Sequence, residues 1–579
     1  MKRRIFCFVM AVGLAAMLSA CQSNQKAESI RPDRTEETTG FEESSDDGNV
    51  DRNVDRNVDG NVDGNENVEQ VVPISVTVEH VKDTLLEESG CEIYQYPKFY
   101  LDEEDKNAYP ELSKVFESYN SEMDSQKEAI LEQLKKDYEE AAENSGDADA
   151  WHEMSIETTA RALRADSNVV SFLCEYDAAL GGAHPYSYVY GMNYDAKTGK
   201  KLTLGDVVKD KDAFVELVSE AFDKDYSEAE YGELTNGGEA LKECDFNSED
   251  EVLWTIDPIS VTIYFATYSL GSYAQGEQAV SIYFDQEPEI FDEHYMTACE
   301  DYALPVIYRK PLGILTASGE CEKICMEMDY GEYEEYETYK TVYIIGDTQI
   351  ESSWECYDTD PYLVHVNGKN YIYAFQSAEG DWGYLSVVDA DNKSLDDEKN
   401  TGVRLKIYSE YNDANEQYEY IQGGEAFTDP SQFTLIDRVD VLGTYEACKT
   451  YHVGSDGYPV TDDALYLSET DTAFRALKDI ECDTVDLKGN VTGKAVIPEG
   501  SYLAVVRTDG DSMADIQIID PSCIVIPGDT AWTVYYLNRD IDELFDPNGT
   551  IYRMTVDKSE FKVNGEDETS LFEGILRSD

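Results

Sequence analysis

Between Pro110 and Ala141 apolar residues return at helical spacing: Leu112, Val115, Phe116, Tyr119 and Met123, then Ile130, Leu134, Tyr138 and Ala141. Glu and Lys fill the other face, so the segment reads as one long amphipathic helix. Pro110 opens it and Asn144-Ser145-Gly146 closes it. On either side the period falls to two. Ile74, Val76 and Val78 alternate with Ser75 and Thr77, a Tyr-rich run covers Ile93 to Leu101, and strand-like runs follow at 154–163 and 168–177. Phe214, Leu217, Val218, Ala221 and Phe222 mark a second helix, and Ile259–Tyr268 and Gln278–Phe284 two more strands. The spacing predicts an α+β N-terminal half.

Past about residue 300 the runs are short and β-prone: Tyr343–Ile345, Tyr362–Val366, Tyr371–Phe375, Tyr384–Val388 and Arg404–Ser409. From about 470, Ala495–Ile497, Tyr502–Arg507, Ile516–Asp520, Ile524–Ile526 and Trp532–Leu537 suggest a small β-barrel or sandwich, with Thr508-Asp509-Gly510-Asp511 as a turn. The C-terminal half is therefore predicted to be mostly β.

The N-terminus reads differently. Lys2-Arg3-Arg4 precede an uncharged apolar stretch, Ile5 to Leu18, too short to span a bilayer. It ends in Leu18-Ser19-Ala20-Cys21, which resembles a bacterial lipobox; the resemblance implies cleavage before Cys21 and lipidation of its thiol, an anchor outside the cytoplasm. With four residues before the apolar stretch, no cytoplasmic domain is expected. Residues 22–72 are polar and acidic, and contain direct repeats from Val50-Asp51-Arg52-Asn53 to Val62-Asp63-Gly64-Asn65. Such composition predicts a disordered linker. Asp59, Asn61, Asp63 and Gly64 imitate the start of a calcium loop, but its twelfth position is Gln70 and no helices flank it, so a solvated spacer is the favoured reading.

The chain carries 121 Asp+Glu against 45 Lys+Arg, a net charge of −76. Setting aside the three leader cations and the net −9 of residues 22–72 leaves −70 on residues 73–579. This excludes a nucleic-acid binder, which needs a basic face, and a polybasic membrane patch. It favours a cationic partner drawn in by the long-range field.

At 186–194 the alternation is unusually pure: Tyr186, Tyr188, Tyr190, Met192 and Tyr194 share one strand face. Two readings stand: a half-buried face, or a recognition face that uses Tyr for large contact area with little rotamer entropy to lose. Asp195 to Lys200 reads as a hairpin turn. Gly181-Gly182-Ala183-His184-Pro185, then Asn193-Tyr194-Asp195 with Thr198-Gly199-Lys200 and Leu202-Thr203-Leu204-x-Asp206, resembles the extracellular sensor domain of RsiV-type anti-sigma factors. Val261-x-Ile263-x-Phe265-x-x-Tyr268 and Gly271-x-Tyr273-Ala274-x-Gly276 fit the end of that domain, and residues 73–160 are similar to the companion domain that precedes it there and in PdaC-type peptidoglycan deacetylases. The resemblance covers roughly 73–290 and implies a lysozyme-sensing ectodomain or a non-catalytic cell-wall module. It departs from RsiV in lacking a sigma-binding segment, and from PdaC in lacking a Thr-Phe-Asp-Asp-Gly-like metal motif.

Nothing in the sequence signals catalysis. The six histidines, His80, His152, His184, His294, His365 and His452, are too widely spaced for a helical metal motif, and no G-x-S-x-G elbow occurs. Neither metal nor cofactor is expected. Ten cysteines remain after Cys7 and Cys21, without C-x-x-C, leaving disulfides and free thiols both open. Tyr330, Tyr333, Tyr336 and Tyr339 recur every three residues among glutamates, a solvated acidic excursion or an acidic docking strip.

The reading is a leader over 1–20, Cys21 and linker over 21–72, a PdaC-type companion domain over 73–160, an RsiV-like domain over 161–290, a β-rich domain over 300–465 and a small β domain over 466–579. The expected function is that of a lipid-anchored extracytoplasmic protein, displayed outside the bacterial membrane, that captures a cationic protein such as lysozyme. Tyr186, Tyr188, Tyr190, Tyr194 and His184 are the expected contact residues, although a structural role for His184 beside a Gly-rich turn is the plainer alternative. A cell-wall or glycan-binding accessory protein is the second reading, and an enzyme with an unrecognised carboxylate site the third.

Overall fold

A computed structural model describes residues 70–577, apart from 88–89, 146–152, 182–183, 227–233, 308–311, 316–320, 331–337, 379–382, 415–416 and 528–532. The leader, Cys21, the repeats, Gly182-Ala183 and most of the Tyr330–Tyr339 strip lie outside the described residues. Residues Val71–Asp579 form one compact unit, and it is mostly β. Among the described residues no helix is long and apolar enough to cross a membrane.

The first strands are β1 (Val76–Glu87) and β2 (Gly90–Leu101), an antiparallel hairpin. Helix α1 (Pro110–Ser145) then crosses over to β3 (Glu153–Ala165), which pairs with β2 in parallel. A parallel pair needs such a long crossover, and here the predicted helix supplies it. Strands β4 (Val169–Ala179) and β5 (Tyr186–Asp195) continue the sheet antiparallel. The apolar face of α1 meets it: Leu112, Phe116, Met123, Leu131, Leu134 and Tyr138 are buried, and Phe116 lies 5.7 Å from Phe99 and 5.8 Å from Phe172, ring to ring.

Pro97 explains how the sheet opens. It has no N–H to give, and the β2–β3 ladder runs only from Cys91↔Glu153 to Gln95↔Glu157. Backbone groups beyond it need other partners. Buried Asn120 of α1 accepts from Phe99 N at 3.0 Å and donates to Phe99 O at 2.9 Å. The His80 ring on β1 reaches Ala160 of β3, whose N–H donates to Nε2 at 2.9 Å. An accepting Nε2 is unprotonated, which puts the ring's hydrogen on Nδ1. Burial, aided by the nearby Arg161 charge, holds His80 below its ordinary 6.5. The unfolded state therefore binds this proton first as pH falls. The stabilisation is complete above 6.5 and is lost as pH drops from there towards the folded value. His80→Gln should accordingly lose less melting temperature than the wild type between about pH 7.5 and about pH 5.5. Equal losses in thermal scans would remove His80 from the pH response.

A second layer follows. Helix α2 (Lys211–Tyr226) buries Phe214, Val215, Val218 and Phe222 against the three-stranded sheet of β6 (Leu253–Ile256), β7 (Ser260–Phe265) and β8 (Gln278–Tyr283). The turn before it is tight: Asp195 accepts from Thr198 N at 2.8 Å and Thr198 Oγ1 at 2.7 Å, and Gly199 sits at φ +64° with its missing Cβ 2.7 Å from Glu111 O. Only glycine fits there.

Beyond residue 300 the chain builds a four-stranded sheet from Leu312 to Cys356, a five-stranded sheet from strands between Tyr302 and Leu395, and a large branched sheet that reaches Phe572–Glu573. The first sheet crosses the expected domain limits twice. The 160/161 limit falls inside β3, because one sheet runs through both expected domains. The late hairpin Ile407–Ala414 and Gln417–Glu425 belongs to this first sheet, since its second strand pairs with β1 from Thr77↔Glu425 to Leu85↔Gln417. Lys127 of α1 seals that junction, 3.2 Å from fully buried Asp83 and 2.5 Å from Glu419 of the hairpin. Burial raises the Asp83 carboxyl, and the Lys127 charge opposes the rise.

Candidate functional site

Strand β5 carries the pure tyrosine alternation, and its register fixes each neighbour. Tyr186 faces Ala178, Tyr188 faces Tyr176, Tyr190 faces Cys174, Met192 faces Phe172 and Tyr194 faces Val170. Along this face the environment changes from solvent to core. Tyr186 is 41% exposed, Tyr188 and Tyr190 are half-buried, and Tyr194 is 4% exposed. The Phe116 ring of α1 meets the Tyr194 ring edge-on at 5.8 Å. Tyr194 is thus a core residue, which corrects its expected role as a contact residue. Tyr190 points the same way: burial, then the nearby Cys174, raises its hydroxyl well above the ordinary value.

The open end of the face is a ring cluster. Tyr176 lies 4.9 Å from Tyr188 and 6.5 Å from Tyr186, and Tyr186 lies 5.6 Å from Tyr188. Burial, then Tyr186 and the Asp177 charge, pushes the Tyr176 hydroxyl up to about 12. Such a phenol stays protonated at neutral pH, able to donate a hydrogen bond but not to attack. In β4, Glu175 and Asp177 alternate with Cys174 and Tyr176, so their carboxylates take the opposite face. Asp177 faces Ser187 on β5 and Glu157 on β3. Burial and the Glu175 and Glu157 charges push the Asp177 carboxyl above its ordinary range. Strand β4 therefore separates tyrosines from carboxylates and meets solvent with both.

His184, two residues before Tyr186, is exposed and stacks flat on Tyr273, with ring centres 4.1 Å apart and planes 21° from parallel. Tyr273 is in turn 5.5 Å from Tyr268, which is 59% exposed at φ +72°. A tyrosine in the left-handed region is strained, and such strain collects at functional positions. The loop is firmly held. Gln275 Oε1 accepts from Ser272 N at 2.7 Å, and buried Gln278 donates to Gln275 O at 3.0 Å and Gly276 O at 2.8 Å. The missing Cβ of Gly271 lies 2.2 Å from Gln275 Oε1, so a larger residue there would push Gln275 off its cap.

The structure thus brings His184, Tyr186 and Tyr188 to one side, with His184 and Tyr186 exposed and Tyr188 half-buried, and withdraws Tyr194 into the core. Tyr176, Tyr268 and Tyr273 join the strip without having been expected as contact residues. Tyr176 was legible as the cross-strand partner of Tyr188 once register is known. No sequence signal places Tyr273 under His184, nearly ninety residues away. The strip offers aromatic faces and phenol donors, the chemistry of contact. Among the described residues no three His, Cys, Asp or Glu side chains converge as metal ligands. Cys174, Cys244, Cys299, Cys356, Cys448, Cys482 and Cys523 are free thiols, which answers for these seven the question the sequence left open.

No protein-family model matches the chain, and no curated protein matches it. Among solved structures it is similar to a DUF3298 family member from Bacteroides fragilis, at 17% identity and a TM-score of 0.30, over 38% of this chain and 94% of that one. It is also similar to a DUF3298 family protein from Pseudomonas aeruginosa, at 17% identity and a TM-score of 0.24, over 39% of this chain and 96% of that one. Likeness this weak carries no argument about function.

Proposed function

We propose that this chain is a lipid-anchored extracytoplasmic binding protein that captures a cationic protein such as lysozyme. Cys21 would carry the anchor, and residues 73–290 would act as an RsiV-like ectodomain with its PdaC-type companion part, the α+β half of the chain, followed by a mostly β half. The observation that carries the reading is a pair of neighbouring ring groups, Tyr268–Tyr273–His184 and Tyr186–Tyr176, exposed at Tyr268, His184 and Tyr186, on a chain of net charge −76. The negative field speeds encounter with a basic partner, and tyrosine faces then receive Lys and Arg side chains through cation–π contact. One observation favours a second reading. The flat His184–Tyr273 stack is a platform on which the apolar face of a sugar would also rest, as a cell-wall glycan binder requires.

The test is a titration of the full chain with lysozyme, comparing wild type with Tyr268→Ala/Tyr273→Ala. The double variant removes one exposed and one half-buried loop ring and should bind at least about tenfold more weakly, which corresponds to the roughly 1.4 kcal/mol expected from two such contacts. Unchanged affinity would reject the strip as the docking surface. Retained binding to peptidoglycan with none to lysozyme would favour the glycan reading.

A further inference from the structure

The seven-stranded sheet ends on one side in Ile407–Ala414. Every residue from Ile407 to Tyr411 is exposed, with Tyr411 at 63% and Ile407 at 44%, so among the described residues nothing covers either face of this stretch. Edge strands are ordinarily guarded by lysine, proline or a bulge, because an open row of N–H and C=O groups recruits further strands. None of these guards is here. Residues 407–425 hold no Lys, Arg or Pro, and the hairpin register runs unbroken from Ile407↔Gly424 to Ala414↔Gln417. Two other edges among the described residues are protected. The second half of β5 is closed by the Tyr194–Lys201 bridge and by Asn193 donating to Trp254 O at 3.0 Å. The exposed strand Val491–Ile497 carries Gly493 and Lys494, and its register shifts near Val485.

The unguarded edge is acidic. Residues 407–425 hold Glu410, Asp413, Glu416, Glu419 and Glu425. By register, Tyr408 and Glu410 share a face with Glu79 of β1, and the Tyr408 hydroxyl donates to the Glu79 carboxylate. The other face is aromatic: Tyr411 lies 5.8 Å from Tyr418, and the Ser409 and Tyr420 hydroxyls are 3.1 Å apart. We propose that Ile407–Ala414 receives an extended cationic segment of a partner as an eighth strand, with basic side chains beside Glu410 and apolar ones beside Tyr411. Main-chain pairing would supply affinity, and the alternation of side chains specificity. A second copy of this chain is disfavoured, because equivalent edges would set like charges opposite one another.

The site is separate from the strip around His184, and the two stand or fall independently. The test uses the full chain and an eight-residue peptide of alternating lysine and valine, read by fluorescence anisotropy and amide exchange. Binding should slow exchange at residues 407–414. The same peptide N-methylated on its backbone keeps its charge but should bind at least about tenfold more weakly, as should the plain peptide to Glu410→Lys/Tyr411→Lys. Tyr268→Ala/Tyr273→Ala should leave the peptide's affinity unchanged. Equal binding of the N-methylated peptide, unchanged exchange at 407–414, or dimerisation through this edge would overturn the proposal, and the first of these needs no variant.

Discussion

Asp515→Ala is expected to cost about 3–5 kcal/mol of stability, the largest effect of any single substitution considered for this chain. Asp515 is fully buried and stands between two arginines on neighbouring strands, opposite Arg507 on one side and Arg553 on the other. Arg507 donates to Asp515 Oδ2 at 2.7 and 3.0 Å, and Arg553 donates to Oδ1 at 2.7 Å and Oδ2 at 2.8 Å. Their remaining N–H groups hold the turn between the two strands beside them, Arg507 on Leu487 O and Asp486 O, Arg553 on Gly489 O at 2.9 Å. Removing the carboxylate strands two cations, one of them buried, with only turn carbonyls for compensation. Replacing all three residues together, as Arg507→Met, Asp515→Leu and Arg553→Met, should recover much of the loss, because no charge is then left unpaired. Chemical denaturation of the three proteins decides it. A cost below about 1 kcal/mol for Asp515→Ala would mean that the cluster is solvated and not a structural anchor.

The second large effect concerns the late hairpin. A chain ending at residue 300 keeps all five strands β1–β5 and α1, yet it loses the partner of β1. The nine pairs from Thr77↔Glu425 to Leu85↔Gln417 vanish, Asp83 and Lys127 lose Glu419, and the edge of β1 lies open. With ladder hydrogen bonds contributing about 1 kcal/mol each, the loss is on the order of 5 kcal/mol or more, comparable to the whole stability of a typical domain. Such a fragment should melt without cooperativity and aggregate, and a peptide spanning residues 405–427 should restore it. A fragment that melts as sharply as the full chain would show the hairpin to be an ornament.

That hairpin also marks where sequence reading stops. Helix α1 was legible end to end, because Pro110, the apolar spacing and Asn144-Ser145-Gly146 are local signals, and the structure places the helix at Pro110–Ser145. The Asp195–Lys200 turn was legible for the same reason. Within the strip, local alternation put Tyr186, Tyr188 and Tyr194 on one face but could not say where α1 would end its cover, so it did not reveal that Tyr194 is buried and Tyr186 exposed. Pairing between β1 and a strand more than 300 residues later leaves no periodic trace. The stacking of His184 on Tyr273 depends on a loop whose strained Tyr268 looks ordinary in sequence. Alternation reports which way a side chain points; only the fold reports what covers it.

The most direct test of capture is the affinity of the full chain for lysozyme at about 10 mM and about 150 mM salt, where the screening length falls from about 30 Å to about 8 Å. Binding should weaken at least about tenfold across that range, with a smaller residual affinity that depends on Tyr268 and Tyr273. Absence of binding at both concentrations, or an affinity indifferent to salt, would contradict it.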